Sequence, residues 1–177
     1  MTQHTVRQLR PQVWSQTDVG RKRKHNEDSL VINPQLGLYG VADGMGGHDF
    51  GDVASQTSLQ VTQEELGKNL GVIRDLLRTN TDDSRRGVQE FLEQSIVYAS
   101  DFIYKMSLNK AGARGMGTTL SVSIVHDRFA YLGHVGDSRI YLLRSGVLRQ
   151  LTDDHSFVAE QVRVGLITEE EAESHPF

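Results

Sequence analysis

Apolar and polar residues alternate along three short runs near the start of the chain: Gln12 to Asp18 (QVWSQTD), Asp28 to Pro34 (DSLVINP) and Leu36 to Asp43 (LGLYGVAD). Gly, Pro and Asn punctuate the gaps, so the pattern predicts neighbouring antiparallel strands. From Gly51 the period lengthens. Val53, Ala54, Thr57, Val61 and Leu66 fall on one helical stripe, and Val88, Phe91, Leu92, Ile96, Ala99, Phe102, Ile103 and Met106 predict a longer and stronger one. The polar stretch Arg78 to Gly87 reads as the loop between these two helices. From Gly117 to Thr152, small, β-branched and aromatic residues alternate again, with HDR and RSG as turns, which predicts a meander of about four strands. A helix around Phe157, Val158, Val162 and Leu166 is expected next, opened by a capping Asp and Ser. Thr168 ahead of Glu169 to Glu171 caps another.

Composition fits one soluble globular domain. The 177 residues are 37% hydrophobic and 24% charged, enough apolar material for a core, and three prolines mark no linker. A formal charge of −4, from 19 basic and 23 acidic residues, argues against a general nucleic-acid binder, since phosphate contacts demand a basic excess. The absence of cysteine removes disulfides and thiolate metal sites. The first residues contain no apolar run of the signal-peptide kind and no stretch reaches bilayer-spanning length, so a cytoplasmic protein with no membrane partner is expected.

The chemistry gathers where the second run ends. In VADGMGGHDFGD, Asp43 leaves a strand into a loop of glycines. A dinucleotide fingerprint fails there because Asp49 stands where its third glycine belongs, and no Gly-Lys-Ser/Thr follows for a P-loop. What remains is a carboxylate beside backbone that lacks side chains, where carbonyls and water can approach whatever the acid holds. A hard cation suits it: Mg²⁺ or Mn²⁺ takes oxygen ligands, accepts a carbonyl and keeps several waters. Glu27 and Asp28 open the neighbouring strand, and Asp137 sits at a later strand corner. Each acid alone reads as ordinary turn chemistry; together they can converge at one sheet end.

The motifs RKRKHNEDS, VADGMGGHDFGDVAS, MGTTL, GHVGDSRIYLLRSGVLRQLTDDHS and VGLITEEEAESHP, in this order, resemble the metal-dependent type 2C (PPM-type) protein serine/threonine phosphatases, particularly their bacterial branch. The resemblance runs from about Val13 to Pro176. It implies an α+β fold, a four-layer α-β-β-α sandwich of two antiparallel sheets flanked by helices, incomplete at the C-terminal end. Residues 1–177 would form a single catalytic domain that breaks off within the family's flap, short of two motifs whose aspartates complete the metal centre.

Carried onto this chain, the resemblance implies two Mn²⁺ or Mg²⁺ ions bridged by Asp43 and a water, with the Gly44 carbonyl and Glu27 on one ion. Asp28 would steady bound waters, and Asp137 would serve a third ion. Arg23 matches the arginine that grips the substrate phosphate, a task suited to a planar bidentate donor. His48, in the glycine loop, can protonate the leaving serine or threonine oxygen, or it can merely hold the loop. The expected reaction is hydrolysis of phosphoserine and phosphothreonine on proteins phosphorylated by a serine/threonine kinase, which makes the protein a signalling hydrolase. Two other readings stand beside it: a pseudophosphatase that binds phosphoproteins without turnover, and a non-catalytic metal-binding module. His134, Ser138, Thr118 and Thr119 read as residues that fix turns and satisfy nearby polar groups. Asp153, Asp154 and His155 read as a helix cap.

Overall fold

A computed structural model describes residues 11–46 and 50–173. Strands β1 (Asp28–Asn33), β2 (Leu38–Met45), β3 (Gly117–Thr118), β4 (Leu120–His126) and β5 (Phe129–Val135) form one antiparallel sheet in the order β1-β2-β4-β5, with β3 paired to the far end of β2. Strands β6 (Tyr141–Arg144) and β7 (Val147–Gln150) make a second, two-stranded antiparallel sheet. Helices α1 (Gly51–Lys68), α2 (Leu70–Thr79) and α3 (Asp82–Asn109) lie between β2 and β3 in sequence, and α4 (Phe157–Arg163) and α5 (Glu169–Glu173) close the order. The α+β class, with antiparallel sheets flanked by helices, is as the sequence predicts.

Strand alternation decides which side chains face the helices. Leu38, Ala42, Leu120, Val122, Ile124 and Tyr131 all point to one face and are buried there against Leu59, Leu66, Ile73, Leu77, Val88, Leu92 and Ile96. A smaller cluster of Ala54, Ile103, Ala113 and Met116, backed by Phe50 and Met106, lies where α1 begins and α3 ends. On the opposite sheet face, Leu30, Ile32 and Val41 are exposed. The turns at Asp127 and Ser145 both adopt positive φ, at 50° and 52°, as tight hairpin corners require.

Three sequence expectations need correction. The run Gln12 to Asp18 is no strand: no strand among the described residues pairs with it, and Trp14 is 82% exposed. A strand's backbone groups need a neighbour, so its alternation alone fixes nothing. Helix α2 replaces part of what reads as a two-helix region, and the loop Arg78 to Gly87 shrinks to Asn80 and Thr81. Thr81 is the N-cap of α3 in a reciprocal capping box with Ser84, so the polar residues there start a helix rather than interrupt one. Finally, of the Asp and Ser expected to cap α4, Ser156 does so, accepting from the Ala159 amide at 3.1 Å, whereas Asp154 pairs with Arg139 instead.

Candidate functional site

Antiparallel register puts Asp28 directly opposite Asp43, at the end where β1 begins and β2 runs out. Like charges in that position repel. The Asp43 carboxyl sits above its ordinary range. Partial loss of hydration is the main cause, the Asp28 carboxylate adds to it, and Asp137 adds a further push. Arg23 acts the other way. Three groups from other segments therefore act on Asp43: Arg23 before β1, Asp28 on β1 and Asp137 after β5.

The backbone at this corner is tightly fixed. The Asp43 amide donates to Thr119 Oγ1 at 2.9 Å in place of a ladder carbonyl, while the Asp43 carbonyl accepts from the Thr119 amide at 2.9 Å and from Thr118 Oγ1 at 3.0 Å. Thr119 Oγ1 also shares a 2.8 Å hydrogen bond with Ser138 Oγ, next to Asp137. Ser121 Oγ lies 2.9 Å from His134 Nδ1. The expected supporting parts of Thr118, Thr119, His134 and Ser138 match these bonds.

Glycine has a steric reason here. A Cβ on Gly44 would collide with the Gly51 carbonyl and crowd the Glu27 carbonyl at 2.8 Å, and one on Gly51 would run into the Glu27 carboxylate. Two bare residues thus let β2, the first turn of α1 and Glu27 share one corner. The Glu27 carbonyl accepts from the Gly44 amide at 3.1 Å and from Ser55 Oγ at 2.6 Å, which pins its backbone. Its carboxylate pairs loosely with Arg23 at 3.4 Å, the arginine side chain remaining 62% exposed. Ser55 escapes notice in the sequence because it reads as a polar gap in an apolar stripe. Its signal is the spacing of four from Gly51, which places both on the face of α1 that meets β1.

Arg23, Glu27, Asp28, Asp43, Gly44 and Asp137 thus gather at one sheet end, while His48 lies outside the described residues. Among the described residues, no three His, Cys, Asp or Glu side chains close into a metal cage. The donor set still suits a hard cation: it is all oxygen, it is acidic, and its central carboxyl is under repulsion that a cation would relieve.

The protein phosphatase 2C family profile matches residues 18–176. A serine/threonine phosphatase, stp, of Listeria welshimeri is 39% identical over 165 residues, which cover 90% of this chain and 61% of the relative. A serine/threonine phosphatase of S. agalactiae superposes with a TM-score of 0.73 at 34% identity, covering 91% of this chain and 63% of that one. The catalytic domain of the serine/threonine protein phosphatase PstP, solved in complex with two manganese ions, gives a TM-score of 0.65 at 32% identity, covering 94% and 61%. The chain therefore spans about three fifths of the length of these relatives.

Proposed function

The chain belongs to the protein phosphatase 2C family, and from that membership and the acidic end of its sheet we propose that it carries the metal-binding part of a catalyst hydrolysing phosphoserine and phosphothreonine in proteins. One observation carries the reading: Asp28 and Asp43 stand opposite each other with Asp137 in electrostatic reach, a like-charge arrangement that a bound cation would relieve. Residues 1–177 belong to a single catalytic domain in this reading, one that works in the cytoplasm on phosphoproteins made by a serine/threonine kinase.

Asp43, the Gly44 carbonyl and Glu27 would hold two Mn²⁺ or Mg²⁺ ions, with Asp28 on their waters and Asp137 toward a third. When bound, such ions acidify a water and neutralise charge growing on the phosphoryl oxygens. The chain's own residues do the rest. The Thr118 and Thr119 bonds fix the Asp43 backbone, so the direction in which its side chain leaves the strand is set before any ligand arrives. Arg23 offers a planar donor pair to the substrate phosphate, and its loose, solvent-exposed contact with Glu27 costs little to exchange. His48 supplies a proton to the leaving oxygen, which a serine or threonine alkoxide needs.

Calorimetric titration with Mn²⁺ tests the first part: binding is expected, with Asp43→Asn losing more affinity than Asp137→Asn. In a chain of the relatives' full length, Mn²⁺-dependent release of phosphate from phosphoserine and phosphothreonine peptides is expected. There Arg23→Ala should mainly raise KM. His48→Gln should slow the peptides about 10² to 10⁴-fold and p-nitrophenyl phosphate far less. Mn²⁺ binding without hydrolysis in that longer chain would leave the two non-catalytic readings, which phosphopeptide binding or its absence separates, and failure to bind Mn²⁺ would end the metal assignment.

A further inference from the structure

The turn that carries Asp137 is gripped on both sides by one short segment further along the chain. Before it, the Gly136 carbonyl accepts from the His155 amide at 2.8 Å, and the Gly136 amide donates to His155 Nδ1 at 3.4 Å. After it, Arg139 forms a two-pronged pair with Asp154, Nε to Oδ1 at 2.8 Å and Nη2 to Oδ2 at 2.6 Å. The next residue continues the seam: the Ile140 amide donates to Thr152 Oγ1 at 3.0 Å, and the Ile140 carbonyl accepts from the Leu151 amide at 2.8 Å. Asp137 itself stays exposed between two anchored neighbours.

Several features separate this grip from an ordinary surface ion pair. The Asp154 side chain retains only 17% exposure, and both guanidinium prongs are used. Arg139 holds the Asp154 carboxyl below its ordinary range, and the imidazoles of His134 and His155, whose rings lie 5.0 Å apart, act in the same direction. The turn has little freedom to settle elsewhere. Gly136 has φ of +109°, and a Cβ there would meet Thr119 Cγ2 at 2.6 Å, so the chain bends against the residue that fixes Asp43. Immediately after the grip, Ser156 caps α4, which packs on α5.

We propose that Arg139, Asp154 and His155 are positioning residues that latch the Asp137 turn, holding its carboxylate beside Asp43 and joining the start of α4 to the acidic site as one rigid piece. The proposal rests on Asp137 serving the site as read above. A carboxylate meant to share a cation must arrive in one place, and a charged fork on the residue two positions away achieves this without occupying the carboxylate itself. The conventional alternative is a turn staple that stabilises the hairpin and has no bearing on Asp137.

Two measurements on the full chain separate these. In the metal-free protein, Asp154→Asn is expected to speed amide hydrogen exchange about tenfold across residues 136–140 while leaving α1 to α3 unchanged. In Mn²⁺ titration the same variant is expected to bind at least about tenfold more weakly, as loss of an orienting partner does elsewhere. Arg139→Lys, which keeps the charge but not the fork, should fall between. On an Asp137→Asn background, Asp154→Asn should cost no further Mn²⁺ affinity. Unchanged exchange at residues 136–140 overturns the latch regardless of metal. Faster exchange with unchanged Mn²⁺ affinity, or an equal further loss on the Asp137→Asn background, overturns the positioning role and leaves the staple. If neither Asp43→Asn nor Asp137→Asn alters Mn²⁺ binding, the metal reading fails and the positioning role falls with it, whereas the exchange result still decides whether the turn is latched.

Discussion

The two faces of the five-stranded sheet are built from the same strands and differ in almost everything else. On the helix side, Leu38, Ala42, Val122 and Ile124 are at most 1% exposed. On the other side, Val41, the immediate chain neighbour of Ala42, and Ile32 of β1 are 50% and 42% exposed, although they are just as apolar. The acids Asp28 and Asp43 lie on this open face, at its end. One face thus supplies cohesion within the chain, and the other carries the acids of the proposed site at the cost of repulsion. The core side chains and the acids of the proposed site fall on alternate residues, so a single-position change of register would exchange them.

The largest effect that can break this comparison is in the core. Ile124→Ala is expected to cost about 2–5 kcal/mol in urea unfolding, as truncation in a filled core does, whereas Ile32→Ala on the open face should cost about 0.5 kcal/mol. Equal losses would mean that the two faces are not different in kind. The next effect sharpens where the helix side is tightest. Gly44→Ala drives a Cβ into the Gly51 carbonyl and should cost about 1–3 kcal/mol. Gly67→Ala, with nothing within 4 Å of the new atom, is expected to be neutral or to gain up to about 1 kcal/mol by helix propensity. The smallest effect has the opposite sign. With a chelator present, Asp43→Asn should melt above the parent at pH 7. Because the folded state raises the Asp43 pKa, the parent loses stability as pH climbs past the ordinary aspartate value of about 3.9, a loss the amide avoids. The difference should vanish near pH 3, and added Mn²⁺ should reverse the order at pH 7. A chelated variant that melts below the parent at pH 7 would remove the repulsion from the account.

What could be read from the sequence follows the range of each interaction. The strands β1 and β2, the long α3 stripe and the HDR and RSG turns announce themselves through neighbours two to four residues apart, and the structure has them. The acids at the sheet end are legible for a related reason, since strand ends are local features and only their convergence is not. Gln12 to Asp18 has strand alternation, yet pairing is decided by a partner elsewhere. Thr81 and Ser84 look like loop residues because short hydroxyl side chains serve loops and helix caps equally. Asp154 sits two residues before Ser156 and reads as part of its cap. Its actual partner is Arg139, 15 positions back, and no spacing rule in a single sequence points there.

The contact that holds Asp43 has an implication for how the molecule assembles. The hydroxyl that takes its amide proton lies 76 residues away along the chain, and all three long helices are contained in that interval. Closing so large a loop carries an entropic cost of order (3/2)RT ln n before any contact across it is rewarded. An isolated peptide with the glycine-rich stretch cannot hold this geometry, however faithfully its residues are kept. The acidic corner comes into being only when the ring of chain closes, and whatever reopens that ring dissolves the corner while the helices inside it are still intact.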